Sequence, residues 1–195
     1  MSDEELLEII KHGTLVGLAP KEMLPHGPSK LLISAYHWHS PKVGLVASYK
    51  PTLKDVEDHF DIFRGVDLIE AFALSVNGSV GTFLECRKQN CIPDELKEKY
   101  IPSFLSVGKV DFHNYIKYGD TFISLGHITF SKWRQTSCDG RIYKVPPNLD
   151  LDAYFSDFTE ERLMKYDLRE DFVLVAELFD ITGRAIAKEF FNNNI

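Results

Sequence analysis

The stretch from Val66 to Leu84 is apolar on nearly every side of a helix, and this constrains the whole fold. Leu68, Ile69, Phe72, Ala73, Val76 and Val80 recur at helical spacing. Ala71, Ala73, Ser75, Gly78, Ser79 and Gly81 interleave them, so little of the circumference is left for solvent. Such a helix is buried nearly all round, and its small residues let other backbone approach closely. A sheet curved around one long helix meets both demands, so the expected class is α+β.

The flanking segments supply that sheet. Leu31 to Trp38 and Val43 to Tyr49, separated by Ser40-Pro41-Lys42, read as a hairpin. Phe104 to Phe112, Thr121 to Trp133 and Phe172 to Phe179 read as further strands, with Ile186 to Phe191 extending or ending the last. Residues 2–11 form a short amphipathic helix with acids in its first turn and Gly13 as its stop. Two segments read as insertions in a single domain spanning 1–195. One is 86–100, charged and carrying a short helix. The other is 136–170, with Pro146-Pro147 and a helical piece around Glu160 to Lys165, expected to act as a lid through Phe155 and Phe158.

Composition narrows the function. A formal charge of −7 over 195 residues disfavours nucleic acid as a partner. No apolar run approaches the length of a membrane span, and the acidic amphipathic start lacks the basic region of a signal peptide. Cys86, Cys91 and Cys138 have neither zinc-ligand spacing nor a disulfide framework, so free thiols in a reducing cytoplasm are expected. No metal or other cofactor is expected. His37 and His39, in the run His-Trp-His, are placed by strand alternation on one face, where they could pair on a metal, but no acid or thiol accompanies them.

Chemistry concentrates in Asp58-His59-Phe60-Asp61-Ile62-Phe63-Arg64-Gly65-Val66-Asp67-Leu68-Ile69-Glu70-Ala71-Phe72. Burial in an apolar helix raises a carboxyl pKa, so a group such as Glu70 can carry a proton to donate. A neutral His59 can accept one. The first amides of the helix, around Gly65 and Val66, point outward unpaired and can hold a carbonyl oxygen as charge develops on it. Together these groups suit proton abstraction beside a carbonyl and protonated loss of a leaving group. Asp67, in the first turn, compensates the helix dipole.

At these residues the chain resembles the 3-hydroxyacyl-(acyl-carrier-protein) dehydratases of the hot-dog fold. Leu24-Pro25-His26-Gly27-Pro28-Ser29-Lys30-Leu31-Leu32-Ile33 is similar to that family's Leu-Pro-His-Arg-x-Pro-Phe-Leu-Leu motif. His59-Phe60, then Gly65-Val66-Asp67-Leu68-Ile69-Glu70-Ala71-Phe72-Ala73, resembles its His-Phe-x-Gly-x-Pro-x-Met-Pro-Gly-Val-x-x-Ile-Glu-Ala-Met-Ala-Gln. Gly108 to Phe112, Lys117 to Thr121, and Val175 to Phe179 with Ala187-Lys188-Glu189 resemble its later strands and turn. The His-to-Glu segment is shorter here, its Pro and Met are absent, Arg64 precedes the Gly, and Leu74 replaces the Gln.

The resemblance implies a single hot-dog domain, a long helix wrapped by a curved antiparallel sheet, paired in a homodimer with shared active sites. It implies dehydration of 3-hydroxyacyl thioesters to trans-2-enoyl thioesters in fatty-acid or related lipid or polyketide synthesis. His59 would remove the α proton, Glu70 of the other subunit would protonate or position the leaving hydroxyl, and amides at Gly65 and Val66 would bind the thioester carbonyl. The substrate would ride on acyl carrier protein or coenzyme A, docked by cations among Lys97, Lys99, Lys109, Lys132 and Arg134. His26 would fix its loop through a ring nitrogen.

One fold hosts several chemistries. An acyl thioesterase would use Glu70, Asp67 and Asn77 on water, with Tyr36 or Tyr49 lining the site. A non-catalytic acyl-binding partner subunit is the third class, suggested by the lost loop motif.

Overall fold

The computed structural model describes residues 1–192. Helix α1 (Asp3–His12) starts on a reciprocal cap. The Glu5 N–H donates to Ser2 Oγ at 3.3 Å, and the Ser2 N–H donates to the Glu5 carboxylate at 2.8 Å. Gly13, at φ +86°, ends it as expected. A single turn, α2 (Pro20–Met23), follows.

Strands β1 (Ala35–Ser40) and β2 (Gly44–Tyr49) form the expected hairpin, though Leu32 and Ile33 are buried ahead of it without pairing. A two-residue strand, β3 (Ile62–Phe63), pairs with β5 (Ile116–Lys117). The remaining strands are β4 (Tyr100–Phe112), β6 (Thr121–Lys132), β7 (Gln135–Val145) and β8 (Val173–Ala187). The six long strands make one antiparallel sheet, ordered β1-β2-β6-β7-β8-β4.

Between β3 and β4 runs the central helix. It is α3 (Gly65–Ala73), a π-helical segment Leu74–Ser79, and α4 (Val80–Gln89). The sheet curves round it because two strand residues lack side chains. A Cβ on Gly126 would stand 3.0 Å from the Phe72 ring, and one on Gly140 would overlap Cε2 of that ring, with Cζ at 2.7 Å. The π segment has a local cause. Ser79 Oγ donates to Leu74 O, five residues back, at 3.0 Å, and lies 2.7 Å from the buried Tyr36 hydroxyl. Phe72, Val76, Val80 and Phe83 are fully buried in the core on this face.

Both expected insertions are narrower than the sequence suggests. Cys86 to Gln89 continue α4, which stops at Asn90 in the left-handed conformation with the Cys91 N–H donating to Cys86 O at 3.1 Å. Residues 135–145 are a full strand between β6 and β8. Its alternation is hidden because the register shifts between Cys138 and Gly140. The true excursion holds α5 (Leu151–Phe155) and α6 (Glu160–Lys165), which pack on the sheet face away from the central helix. Phe155 and Phe158 join Val46, Ile123, Leu125 and Leu163 in this second core. They cap no tunnel along the helix. After β8, α7 (Lys188–Asn192) replaces the last part of the expected strand extension.

Candidate functional site

Glu70 is half-buried, and its helix face forms one wall of an open cleft of about 1080 Å³. Glu70, Ala73, Leu74, Asn77, Gly78 and Gly81 recur at three- and four-residue steps, so they form one stripe. The opposite walls come from the loop Leu24-Pro25-His26, the start of β4 and the tip of the β6–β7 hairpin. The Glu70 carboxyl group makes no hydrogen bond or ion pair among the described residues.

The histidine in this cleft is His26. The loop that carries it is pinned at Leu24, whose Cδ2 would stand 3.1 Å from a Cβ on Gly78. Its Nδ1 is sealed from solvent without a hydrogen-bond partner. The expected loop-fixing bond from this ring is therefore absent among the described residues. Burial lowers the pKa of His26, and the Glu70 charge acts in the opposite sense.

His59 lies elsewhere. It is exposed on the turn before β3, its Nδ1 3.0 Å from Ile62 O, and it does not line the Glu70 cleft. Phe60 and Asp61 follow it in left-handed conformation, at φ 56° and 59°, and Phe60 is 91% exposed. Gly65 opens the central helix under the Phe112 ring, and Val66 is exposed beside it. The expected site residues thus fall in two places within one chain. His59 accompanies the helix N-terminus, and Glu70 accompanies His26.

The polar groups that a thioesterase would use have other partners. Arg64 holds Asp67 in a two-pronged ion pair at 2.7 and 2.8 Å. Asn77 lines the cleft but donates to Ile181 O at 3.3 Å and accepts from the Cys138 thiol at 3.2 Å. Tyr36 bonds Ser79, and Tyr49 donates to Asp55 at 2.8 Å.

Of the expected docking cations, Lys99, Lys132 and Arg134 line the cleft, whereas Lys97 and Lys109 do not. Lys99 and Arg134 are paired with Asp94 and Glu98, while Lys132 lies over the Trp133 ring. The histidines at 37 and 39 face opposite ways, contrary to the simple alternation. His37 is the extra residue of a β-bulge, since Tyr36 pairs with Ala47 and Trp38 with Val46. It stacks on Phe155 and bonds Asp152 at 2.6 Å on the outer face, while His39 packs edge-on against Phe83 of the central helix.

No family model matches this chain, and no curated protein matches it. Among solved structures, the dehydratase heterocomplex ApeI:P from Xenorhabdus doucetiae superposes with a TM-score of 0.60 at 12% identity, over 91% of this chain and 99% of that one. The chain has the hot-dog fold. The β-alanyl-CoA:ammonia lyase from Clostridium propionicum aligns at TM-score 0.43 and 18% identity, over 75% of this chain and 86% of that one. The PaaI protein of E. coli aligns at 0.43 and 12%, over 75% and 79%. At these identities the likeness is one of fold.

Within the hot-dog fold, the place of Glu70 was readable as a lone carboxyl group in an apolar helix. His26 was not, because it reaches the cleft on a loop that crosses the helix at Gly78, a long-range contact. Its sequence signal was a Pro-His-Gly-Pro run, which reads equally well as a turn.

Proposed function

We propose that this protein is a hydro-lyase acting on acyl thioesters, removing water from 3-hydroxyacyl thioesters to give trans-2-enoyl thioesters. The observation that carries this reading is Glu70, a carboxyl group on the buried helix that opens into a large cleft and is committed to no other partner. A group so placed can deliver a proton to a leaving hydroxyl. The base is His59, reaching the Glu70 cleft from a second subunit, with the amides of Gly65 and Val66 receiving the thioester carbonyl.

Three features support a shared site. The His59 turn carries strained backbone and an exposed Phe60, a combination that fits contact with another surface. Strand β4 is an edge of the sheet and exposes Phe104, Leu105 and Val107. Such an edge is a template for pairing with another chain, and a homodimer would cover it. The structure with TM-score 0.60 is described as a dehydratase heterocomplex. The substrate carrier is acyl carrier protein or coenzyme A.

The exposed, self-bonded His59 also favours a second reading, a subunit that supports a catalytic partner. One assay separates the readings. Purified protein is given a trans-2-enoyl thioester, and loss of enoyl absorbance is followed beside release of free thiol. Hydration abolished by Glu70→Gln and by His59→Ala supports the hydro-lyase. Thiol release alone points to a thioesterase, and inactivity in both channels points to the supporting subunit.

A further inference from the structure

Strands β6 and β7 are joined by Trp133 and Arg134, both left-handed, at φ 54° and 63°. A two-residue turn of this kind favours Asn and Gly, and a bulky side chain in it is strained. Arg134 is held there by Glu98 and the Tyr100 ring. Trp133 is 76% exposed, with the Lys132 ammonium 4.2 Å from its ring centre. A strained, uncovered Trp adds nothing to the core, so its use lies outside the chain.

Cations stand beside it in a fixed row. Lys132 pairs with Gln135 and Gln135 with Arg184, so these side chains share one sheet face at successive strand spacings. Neither Lys132 nor Arg184 has a carboxylate partner among the described residues. In a chain of formal charge −7, such a row is a local site for an anion. Lys132, Trp133 and Arg184 also line the Glu70 cleft. Asn77 lies seven residues from Glu70, about 10 Å along the helix. It meets Gly183, where a Cβ would stand 3.2 Å from the Asn77 Cβ. Alternation turns the next residue, Arg184, to the outer face, so the row forms the cleft's rim.

We propose that this rim is a nucleotide subsite, which makes coenzyme A the carrier of the acyl group. The adenine ring stacks on the Trp133 face that Lys132 leaves open, and phosphates lie on Lys132 and Arg184. From the rim, the extended pantetheine arm is long enough to bring the thioester to Glu70. This rests on the acyl-thioester reading above. An acidic carrier protein would use the cations but brings no purine to Trp133.

The probe is adenosine 3′,5′-bisphosphate, titrated into the full chain by calorimetry and by Trp fluorescence. Trp133 reports on itself, because the other tryptophan, Trp38, is packed against Phe158. Saturable quenching is expected. Trp133→Ala should weaken binding by calorimetry roughly 5- to 100-fold, the scale of one base–aromatic stack. Lys132→Gln and Arg184→Gln should each weaken it and flatten its salt dependence. Inorganic pyrophosphate should bind more weakly and be indifferent to Trp133→Ala. An unbound nucleotide, or one bound equally well by Trp133→Ala, overturns the proposal, as does an acyl carrier protein that binds where the nucleotide does not. In hydration assays, KM for the enoyl-coenzyme A should lie below that for the enoyl-pantetheine, and Arg184→Gln should narrow the gap. A nucleotide that binds while no enoyl thioester is hydrated sinks the hydro-lyase reading and leaves the subsite standing.

Discussion

The ring of Phe72 fills the space that a side chain on Gly140 would need, with its Cζ 2.7 Å from where a Cβ would stand. The central helix can lie this deep in the sheet only because β7 has no side chain there. Gly140→Ala is therefore expected to destabilise the protein by about 1–3 kcal/mol through overpacking. Gly81→Ala is the control, since its added methyl meets nothing within 4 Å. It should stabilise the helix by up to about 1 kcal/mol. Urea unfolding of both variants checks the pair, and equal midpoints would contradict the packing account.

His39 makes stability depend on pH. It is 9% exposed, its Nδ1 accepts the Leu15 N–H at 3.1 Å, and burial, helped by Arg87, pulls its pKa down to about 4. The unfolded chain binds this proton below about pH 6.5 and the folded chain only below about 4, so in between the unfolded state holds more protons. Stability is full above pH 6.5 and is lost as pH falls toward 4, by roughly 1.4 kcal/mol per unit for this one group. Burial lowers His26 and His127 in the same sense, so the wild-type slope is a sum. Unfolding curves of His39→Gln between pH 4 and 7 should show a shallower slope. An unchanged slope would remove His39 as a source.

Asp67 and Glu70 lie one helical turn apart and are expected to behave differently. Asp67 is spent on Arg64, an exposed pair worth at most about 1 kcal/mol. Asp67→Asn should leave enoyl hydration within a few-fold of wild type. Glu70→Gln should lower it about 100-fold or more, the usual scale for removing an acid–base group. A strong effect of Asp67→Asn would revive the thioesterase reading.

What could be read from the sequence follows physical range. The central helix was legible because most residues from Leu68 to Val80 are apolar or small and buried. Glu70 was legible because a charge in such a run needs a reason. The π segment was not, since it depends on Ser79 meeting Tyr36 from another element. Strand β7 was missed because a bulge at Cys138 to Gly140 breaks its period. The opposite faces of His37 and His39 were missed for the same reason, one extra residue that inverts alternation.

The outer core makes a prediction of its own. Phe155 is 1% exposed among Trp38, Val46 and Leu163 rather than over the cleft. Phe155→Ala should cost about 3–5 kcal/mol, as for a fully buried ring. Acyl-chain selectivity should not change, because the residue does not line the cleft. Competing short- and long-chain enoyl thioesters would show this, and a shift in preference would restore the lid.

The separation of His59 from Glu70 within one chain allows a test by mixing. His59 and Glu70 do not share a cavity within one chain. If they meet across a subunit boundary, His59→Ala and Glu70→Gln proteins are each inactive, yet a mixed dimer contains one site with both native groups. Random exchange makes half of the dimers mixed, and each has one working site of two, so about a quarter of wild-type activity should return. Unfolding and refolding the two variants together provides the exchange, and refolding each alone is the control. No recovery, with dimers confirmed by light scattering, would place the base elsewhere. A charge on the exposed edge, Val107→Lys, should then lower both the dimer fraction and the hydration rate in step, because β4 is the edge through which the halves would be joined.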